Sequence, residues 1–372
     1  MRTAIWVGAV GAIAAYGVIA AGQSKLPEFR PALEGHRGGV TAITFNGDGS
    51  EIATGAGNGI VRIWNAKTGK LKSKQDELRD FKGISITGLT FAQDGSTLAA
   101  SGKGRVGLWS PVELKVPRAD SGTNPKTAKF DEFKSYRWLA FPSTDSEADY
   151  SDSATTGDGK EVYFTRRHKS FNYPGRVLRY DKVRDLTEER PGPKYLDPRA
   201  VACISDPDSG LAAVYASIGD KGEGNPAVLL YGLGDTKIIT RGVPLLTNKS
   251  ARPRITFSTD GKWLAAYSET LALWPVPGSH IIGGDPTILE GVFAAAIGPK
   301  NLMATVSPPD ESRNASGIVW KLEAQTKHYG LFGVHWLKQT TEVKKVDTLQ
   351  TNLKDVGCLA FSPDPIGVRL AI

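Results

Sequence analysis

Residues 33–71 read LEGHRGGVTAITFNGDGSEIATGAGNGIVRIWNAKTGKL, and this stretch decides the fold. Val40 to Phe45 alternates in polarity and is rich in β-formers. Asn46-Gly47-Asp48-Gly49 is a cluster of turn residues, and Glu51 to Thr54 makes a short second strand. Gly55 to Gly59 is a second turn, Ile60 to Trp64 a third strand, and Lys67-Thr68-Gly69 turns into a fourth. Short β-rich runs separated by Gly, Asn and Asp predict an antiparallel four-stranded unit.

The same grammar recurs along the chain. TAITFNGDGSEIAT followed by IVRIW is answered by TGLTFAQDGSTLAAS followed by RVGLW, with Phe91 and Trp109 in the parts of Phe45 and Trp64. A third unit is predicted to begin at Trp138-Leu139-Ala140-Phe141, turn at Gly157-Asp158-Gly159-Lys160, and end at VLRYD. The fourth is RAVACISDPDSGLAAVYAS then AVLLYGL; the fifth PRITFSTDGKWLAAYS then TLALW; the sixth GVFAAAIGPKNLMATVS then GIVWKL. A seventh starts at VGCLAFSPD and stops at VRLAI. Units therefore start near residues 38, 84, 136, 199, 252, 291 and 355. A single such unit cannot bury its own faces, whereas units stacked around an axis can.

The stretch at 33–71 resembles a blade of the WD-repeat β-propeller family, whose blades run to about 40 residues. The resemblance implies an all-β fold: a seven-bladed β-propeller of four-stranded antiparallel blades spanning residues 26–372. In that family the first strand of the chain completes the last blade, which makes Leu26 to Leu33 (LPEFRPAL) the candidate closing strand. The seventh unit then lacks a third strand, so the last blade is expected to be incomplete. Open strand edges invite aggregation, and this predicts that the chain continues past Ile372.

The resemblance also assigns a side-chain network. His36, Thr54 and Trp64 stand at the family's His, Ser/Thr and Trp positions, and Asn58 replaces its usual Asp. An amide accepts only through its oxygen, so a weaker network is expected, with His36 architectural rather than catalytic. The other units keep less of it.

Outside the repeats, the uncharged apolar run 4–22 follows Arg2, with small residues at Ala20-Ala21-Gly22. Residues 1–23 are expected to be a signal peptide or membrane anchor, which places the propeller outside the cytoplasm, periplasmic, extracellular or held at the membrane. Residues 111 to 135 read as a linker. Residues 142–159, carrying Asp145, Glu147, Asp149, Asp152 and Asp158, read as a solvated acidic loop that lacks EF-hand spacing. Arg166-Arg167-His168-Lys169 is expected to pair with that loop.

The net charge of +7 permits an anionic partner, but Lys and Arg cluster only at 166–169, which argues against nucleic acid. Cys203 and Cys358 lie in apolar runs and read as core thiols. No histidine pair has zinc-ligand spacing, and if the stretch around His328 and His335 is one strand the two fall on opposite faces. No GxSxG, P-loop or Rossmann pattern occurs. The sequence therefore implies a non-catalytic scaffold, a monomeric propeller binding an unidentified protein or peptide without a cofactor. The alternative is an enzyme or small-ligand binder using the central channel. Its mark would be convergent charged side chains there with perturbed ionisation.

Overall fold

A computed structural model describes residues 14–18, 28–33, 35, 36, 38–72, 83–93, 95, 97–102, 105–110, 135–138, 148–168, 175–190, 192, 193, 196–204, 211–219, 225–231, 236–241, 253–276, 285–307, 315–331, 334–350, 356, 358–363 and 369–372. Among them there is one 3-10 turn, Pro299–Asn301, and otherwise only strand, turn and coil.

The N-terminal strands are β1 (Ala14–Val18) and β2 (Glu28–Leu33). Blade one holds β3 (Val40–Phe45), β4 (Glu51–Ala56) and β5 (Val61–Asn65). Blade two holds β6 (Ile86–Phe91), β7 (Leu98–Gly102), β8 (Arg105–Ser110) and β9 (Ser135–Trp138). Blade three holds β10 (Ala148–Thr155), β11 (Glu161–His168), β12 (Arg176–Asp181) and β13 (Leu186–Arg190). Blade four holds β14 (Leu196–Cys203), β15 (Ala212–Ile218), β16 (Asn225–Tyr231) and β17 (Thr236–Arg241). Blade five holds β18 (Arg254–Phe257), β19 (Trp263–Tyr267), β20 (Thr270–Pro275) and β21 (Thr287–Glu290). Blade six holds β22 (Ala294–Ile297), β23 (Leu302–Val306), β24 (Ser316–Leu331) and β25 (Val334–Gln350). The C-terminal strands are β26 (Ala360–Phe361) and β27 (Arg369–Ala371).

The seventh sheet runs β2-β1-β27-β26, two strands from each end of the chain. Tyr16, Gly17 and Val18 pair with Ala371, Leu370 and Arg369, and β1 pairs in turn with β2. The expected closing strand is therefore present, and the strand that the C-terminal unit lacks is Ala14–Val18. The blade has four strands. Within 1–23, residues 14–18 are strand. The rest of 1–23 lies outside the described residues.

A second correction concerns the start of blade three. Ser135–Trp138 pairs with β8 as the outer strand of blade two, and the inner strand of blade three is Ala148–Thr155. The apolar run at 138–141 imitated an inner strand. The true one looked like an acidic loop because an inner strand lines a channel and tolerates polar residues. Blade one shows three strands plus a single bridge, Trp64↔Leu71.

The turns between first and second strands follow one design. Asp158 and Asp260 accept from the amides of Lys160 and Lys262, Asp48 from that of Ser50, and Gly49, Gly159 and Gly261 close each turn at φ 65 to 70°. A glycine is needed there because a Cβ disfavours the left-handed region.

The core is a ring of seven junctions. Ala53, Val61 and Ile63 of blade one pack with Ile86, Leu98 and Trp109 of blade two. Ala99, Val106 and Leu108 pack with Val162, Phe164 and Tyr180 of blade three. Further clusters join blades three to four, four to five, five to six and six to seven. The last joins Leu33 and Ala371 of blade seven to Ile43, Ile52 and Trp64 of blade one. Adjacent residues serve opposite junctions: Ile52 faces blade seven and Ala53 blade two. Strands covered on both faces must be apolar at successive positions, which is why the second strands read IAT, LAA and LAAY.

Candidate functional site

Thr54 sits at the centre of the blade-one network. The Trp64 indole Nε1 donates to Thr54 Oγ1 at 2.7 Å, and His36 Nε2 lies 2.6 Å from the same oxygen. The His36 and Trp64 rings stand 6.1 Å apart at a 56° tilt. An indole N–H can only donate, so the hydroxyl accepts it and keeps its own proton for Nε2 of a neutral imidazole. Burial, with the Arg62 charge adding to it, holds the His36 pKa down to about 4. His36, Thr54 and Trp64 are all buried.

Asn58 is not part of this cluster. Its Oδ1 accepts from the Ile60 amide at 3.3 Å within the turn, and His36 Nδ1 has no partner. The sequence-predicted set of four is thus three residues that meet and one that closes its own turn. Blade six repeats the Thr–Trp pair, Trp320 Nε1 donating to Thr305 Oγ1 at 2.7 Å. In blade five neither Trp274 Nε1 nor Ser268 Oγ has a partner.

The second site is the central channel, a cavity of about 260 Å³ walled by the inner strands. The inner strands of blades one to four each carry a register shift, at Val40/Ala42, Ile86/Gly88, Tyr150/Asp152 and Pro198/Ala200. A shift of this kind withdraws a residue from the ladder and leaves its carbonyl needing a donor. Arg254, on the inner strand of blade five, crosses the channel to supply two. Its Nη1 donates to Thr87 O at 2.5 Å and Nη2 to Thr41 O at 3.0 Å. Both acceptors are shifted residues, so one guanidinium ties blade five to blades one and two. Its planar fork suits two divergent carbonyls in a way an ammonium does not.

Asp152 does the matching work on the other sign of charge. Its Oδ2 accepts from Val201 N at 3.1 Å, joining blade three to blade four, and Oδ1 accepts from Ser153 N at 3.0 Å. Burial raises its pKa to about 6, against the opposing pull of Arg254 and the two amides. Gly88 makes room for this carboxylate: a Cβ there falls 2.1 Å from Asp152 Oδ1. Cys203 and Cys358 also line the channel, partly buried and packed against core clusters, and burial pushes both thiols up, Cys358 to about 12. They are protonated at neutral pH and so poor nucleophiles.

Arg254 was not singled out by sequence, and Asp152 was read only as one carboxylate of a solvated acidic loop. The available signal was a charge at the first position of RITF, where neighbouring units have apolar or hydroxyl residues. In the basic run, Arg167 lies opposite Asp149 in the β10–β11 ladder, and its guanidinium forms a two-point pair with Asp197 of blade four, at 2.6 and 3.2 Å. His328 and His335 lie on two arms of a hairpin, with Gly330 opposite His335, rather than on one strand. Among the described residues no three His, Cys, Asp or Glu groups gather to hold a metal, and no helix is long and apolar enough to cross a membrane.

Seven radially packed sheets around a channel define a β-propeller. Residues 28–65 match the family model described as WD domain, G-beta repeat. That stretch is similar to a WD repeat. It is 34% identical over 111 residues to human apoptotic protease-activating factor 1, covering 28% of this chain and 9% of that one. It is 33% identical over 93 residues to the small ribosomal subunit protein RACK1y of Oryza sativa subsp. japonica, covering 25% and 26%. The chain thus matches about a quarter or less of the length of these relatives. The β-propeller domain of Myceliophteria thermophila Cps50 (Swd1) superposes with a TM-score of 0.57 at 13% identity, over 90% of this chain and 96% of that one, a likeness of fold alone.

Proposed function

We propose that the protein is a non-catalytic scaffold whose propeller holds rim loops rigidly for a protein or peptide partner. The observation that carries this reading is the use made of the channel's charges. Arg254 and Asp152 are committed to main-chain groups of other blades, which stiffens the ring and leaves specificity to the loops. The kinship with WD-repeat proteins supports the same reading. Cross-linking of the full chain to its co-purifying protein, with contacts mapped to loops of one rim, is the expected result. Contacts scattered over the blade sides, or none, overturn it.

A second reading, a channel ligand site, is favoured by one observation: Asp152, with its pKa raised to about 6, lines a 260 Å³ cavity with Arg254. Turnover or saturable binding of a small molecule that is lost in Asp152→Asn, with the fold intact, would select it. Export through residues 1–23, with the propeller outside the cytoplasm, competes with closure for the same residues. Cleavage near Gln23 requires blade seven to give up β1. The N-terminus of the cellular protein, read by mass spectrometry, decides between them.

A further inference from the structure

The blade-one network leaves two N–H donors over. The Trp64 indole donates to Thr54 Oγ1, and that hydroxyl gives its own proton to His36 Nε2. A neutral His36 therefore carries its proton on Nδ1. This Nδ1 is buried, and no protein group accepts from it. Arg62 Nε is buried and equally without an acceptor. His36 is only 3% exposed, so bulk water does not serve it.

The two donors share a neighbourhood. Thr54 stands directly opposite Arg62 in the β4–β5 ladder, and Ile52 opposite Trp64, so Thr54, Arg62 and Trp64 lie on one face. His36 sits on that face through its bond to Thr54. Gly35 lets the guanidinium in: a Cβ there would fall 2.3 Å from Arg62 Nη1 and 3.8 Å from the Trp64 ring. The Arg62 charge reaches His36, where it adds to burial in lowering the pKa. Arg179 also has a buried Nε without a partner, but its guanidinium pairs with Glu161 at 3.0 Å and Glu188 at 2.6 Å. Arg62 has no such acid among the described residues. Asn58, where the WD-repeat resemblance puts an Asp, turns to the Ile60 amide. A guanidinium drawn from water without a counterion is costly, and so is a buried N–H without an acceptor. One negative group reached by both donors relieves both.

We propose that His36 and Arg62 form a binding site for a small anion of carboxylate type, held by His36 Nδ1–H and Arg62 Nε–H. A carboxylate has two oxygens and offers one to each donor, with the charge-assisted bond going to the guanidinium. A monatomic anion would have to serve both from one point. None of His36, Thr54, Arg62 and Trp64 lines the central channel, so this site is separate from it.

The test is urea unfolding of the full chain in sodium formate and in sodium chloride at equal ionic strength. The midpoint is expected to rise with formate and to saturate, with the His36 imidazole nitrogen resonances shifting along the same curve. Arg62→Met keeps an unbranched stem and removes the charge. In chloride it should be at least as stable as wild type, because it deletes an unpaired charge. Its affinity for formate, read from the His36 resonances, should fall by on the order of ten- to a hundred-fold, the worth of one charge-assisted bond. Equal responses to formate and chloride overturn the proposal. So does a formate response that survives Arg62→Met, or a midpoint that rises while the His36 resonances stay still. A formate response that appears only in Glu34→Gln also overturns it, by assigning the two donors to a carboxylate of the chain itself.

Discussion

Thr54→Val isolates the blade-one network. Valine keeps the volume and shape of threonine, so no cavity opens and the strand preference is unharmed. What is lost is one oxygen that serves two buried groups, Trp64 Nε1 at 2.7 Å and His36 Nε2 at 2.6 Å. Water cannot take its place, because Thr54 is 0% and Trp64 2% exposed. A buried polar group stripped of its partner costs about 1–3 kcal/mol, so two stripped groups cost about 2–6 kcal/mol. That is a large part of the roughly 5–15 kcal/mol that holds a domain together. Urea unfolding followed by tryptophan fluorescence should show the midpoint falling with an unchanged slope. Thr54→Ser is the control, since it keeps the hydroxyl and loses only a methyl, at about 1 kcal/mol. Trp64→Phe closes a cycle with Thr54→Val, and the two should couple by more than about 0.5 kcal/mol. A Thr54→Val protein as stable as Thr54→Ser, or additivity with Trp64→Phe, would refute the shared-oxygen account.

Three further outcomes follow from the same geometry. His36 is held neutral when folded, so as pH falls from 6.5 towards 4 the unfolded chain takes up its proton first and stability drops by ~3 kcal/mol. Asp152 works the other way: as pH falls from about 6 towards 3.8 the folded chain binds the proton first, which returns ~3 kcal/mol. Relative to wild type, denaturation midpoints from pH 7 to 4 should fall more steeply in Asp152→Asn and less steeply in His36→Gln. Arg254→Met removes two charge-assisted bonds to the shifted carbonyls, at about 1.5–3 kcal/mol each. Hydrogen exchange should quicken at Thr41 and Thr87 more than at β23. Deletion of residues 1–22 takes away the strand between β2 and β27, so exchange protection at 28–33 and 369–371 should vanish while blades three to five keep theirs.

Much of the architecture was legible because it rests on local rules. The turn at Asn46 to Ser50 announces itself by an Asp whose carboxylate accepts the next amide but one and a glycine at positive φ. The same signature marks residues 156–160 and 258–262. The His36–Thr54–Trp64 cluster was legible through the resemblance to a WD-repeat blade, but the separation of Asn58 was not. Which turn amide an Asn side chain serves is decided by backbone geometry that composition does not encode. The inner strand of blade three was missed for a related reason. Ser151 leaves the ladder there, so the alternation that marks a strand breaks in its middle. Arg254 could not be read at all, because its partners lie 167 and 213 residues away and are carbonyls, which carry no sequence identity.

The closing strand before the first unit was legible, whereas β1 was not, because each half of the seventh blade is insufficient by itself. The run 4–22 satisfies the composition of an export signal, and it contains the strand Ala14–Val18. A strand set between two others in a sheet favours apolar residues, and AAYGV meets that preference as well as it meets a signal's. The seam joins residues 14–18 to 369–371, so closing it carries the largest loop-closure cost in the molecule. Arg254 spans the ring at a different place, from blade five to blades one and two, using only residues that lie inside both termini. The blades beside the seam are therefore held from two independent directions. If the seam opens, the spoke still restrains blade one. If the spoke is cut, the backbone ladder at β1–β27 still closes the circle. The two perturbations should each loosen blade one by less than their combination does, and exchange rates at Thr41 in Arg254→Met, the 1–22 deletion and the double variant measure that synergy. Strictly additive rates would mean that the spoke and the seam do not act on the same blade.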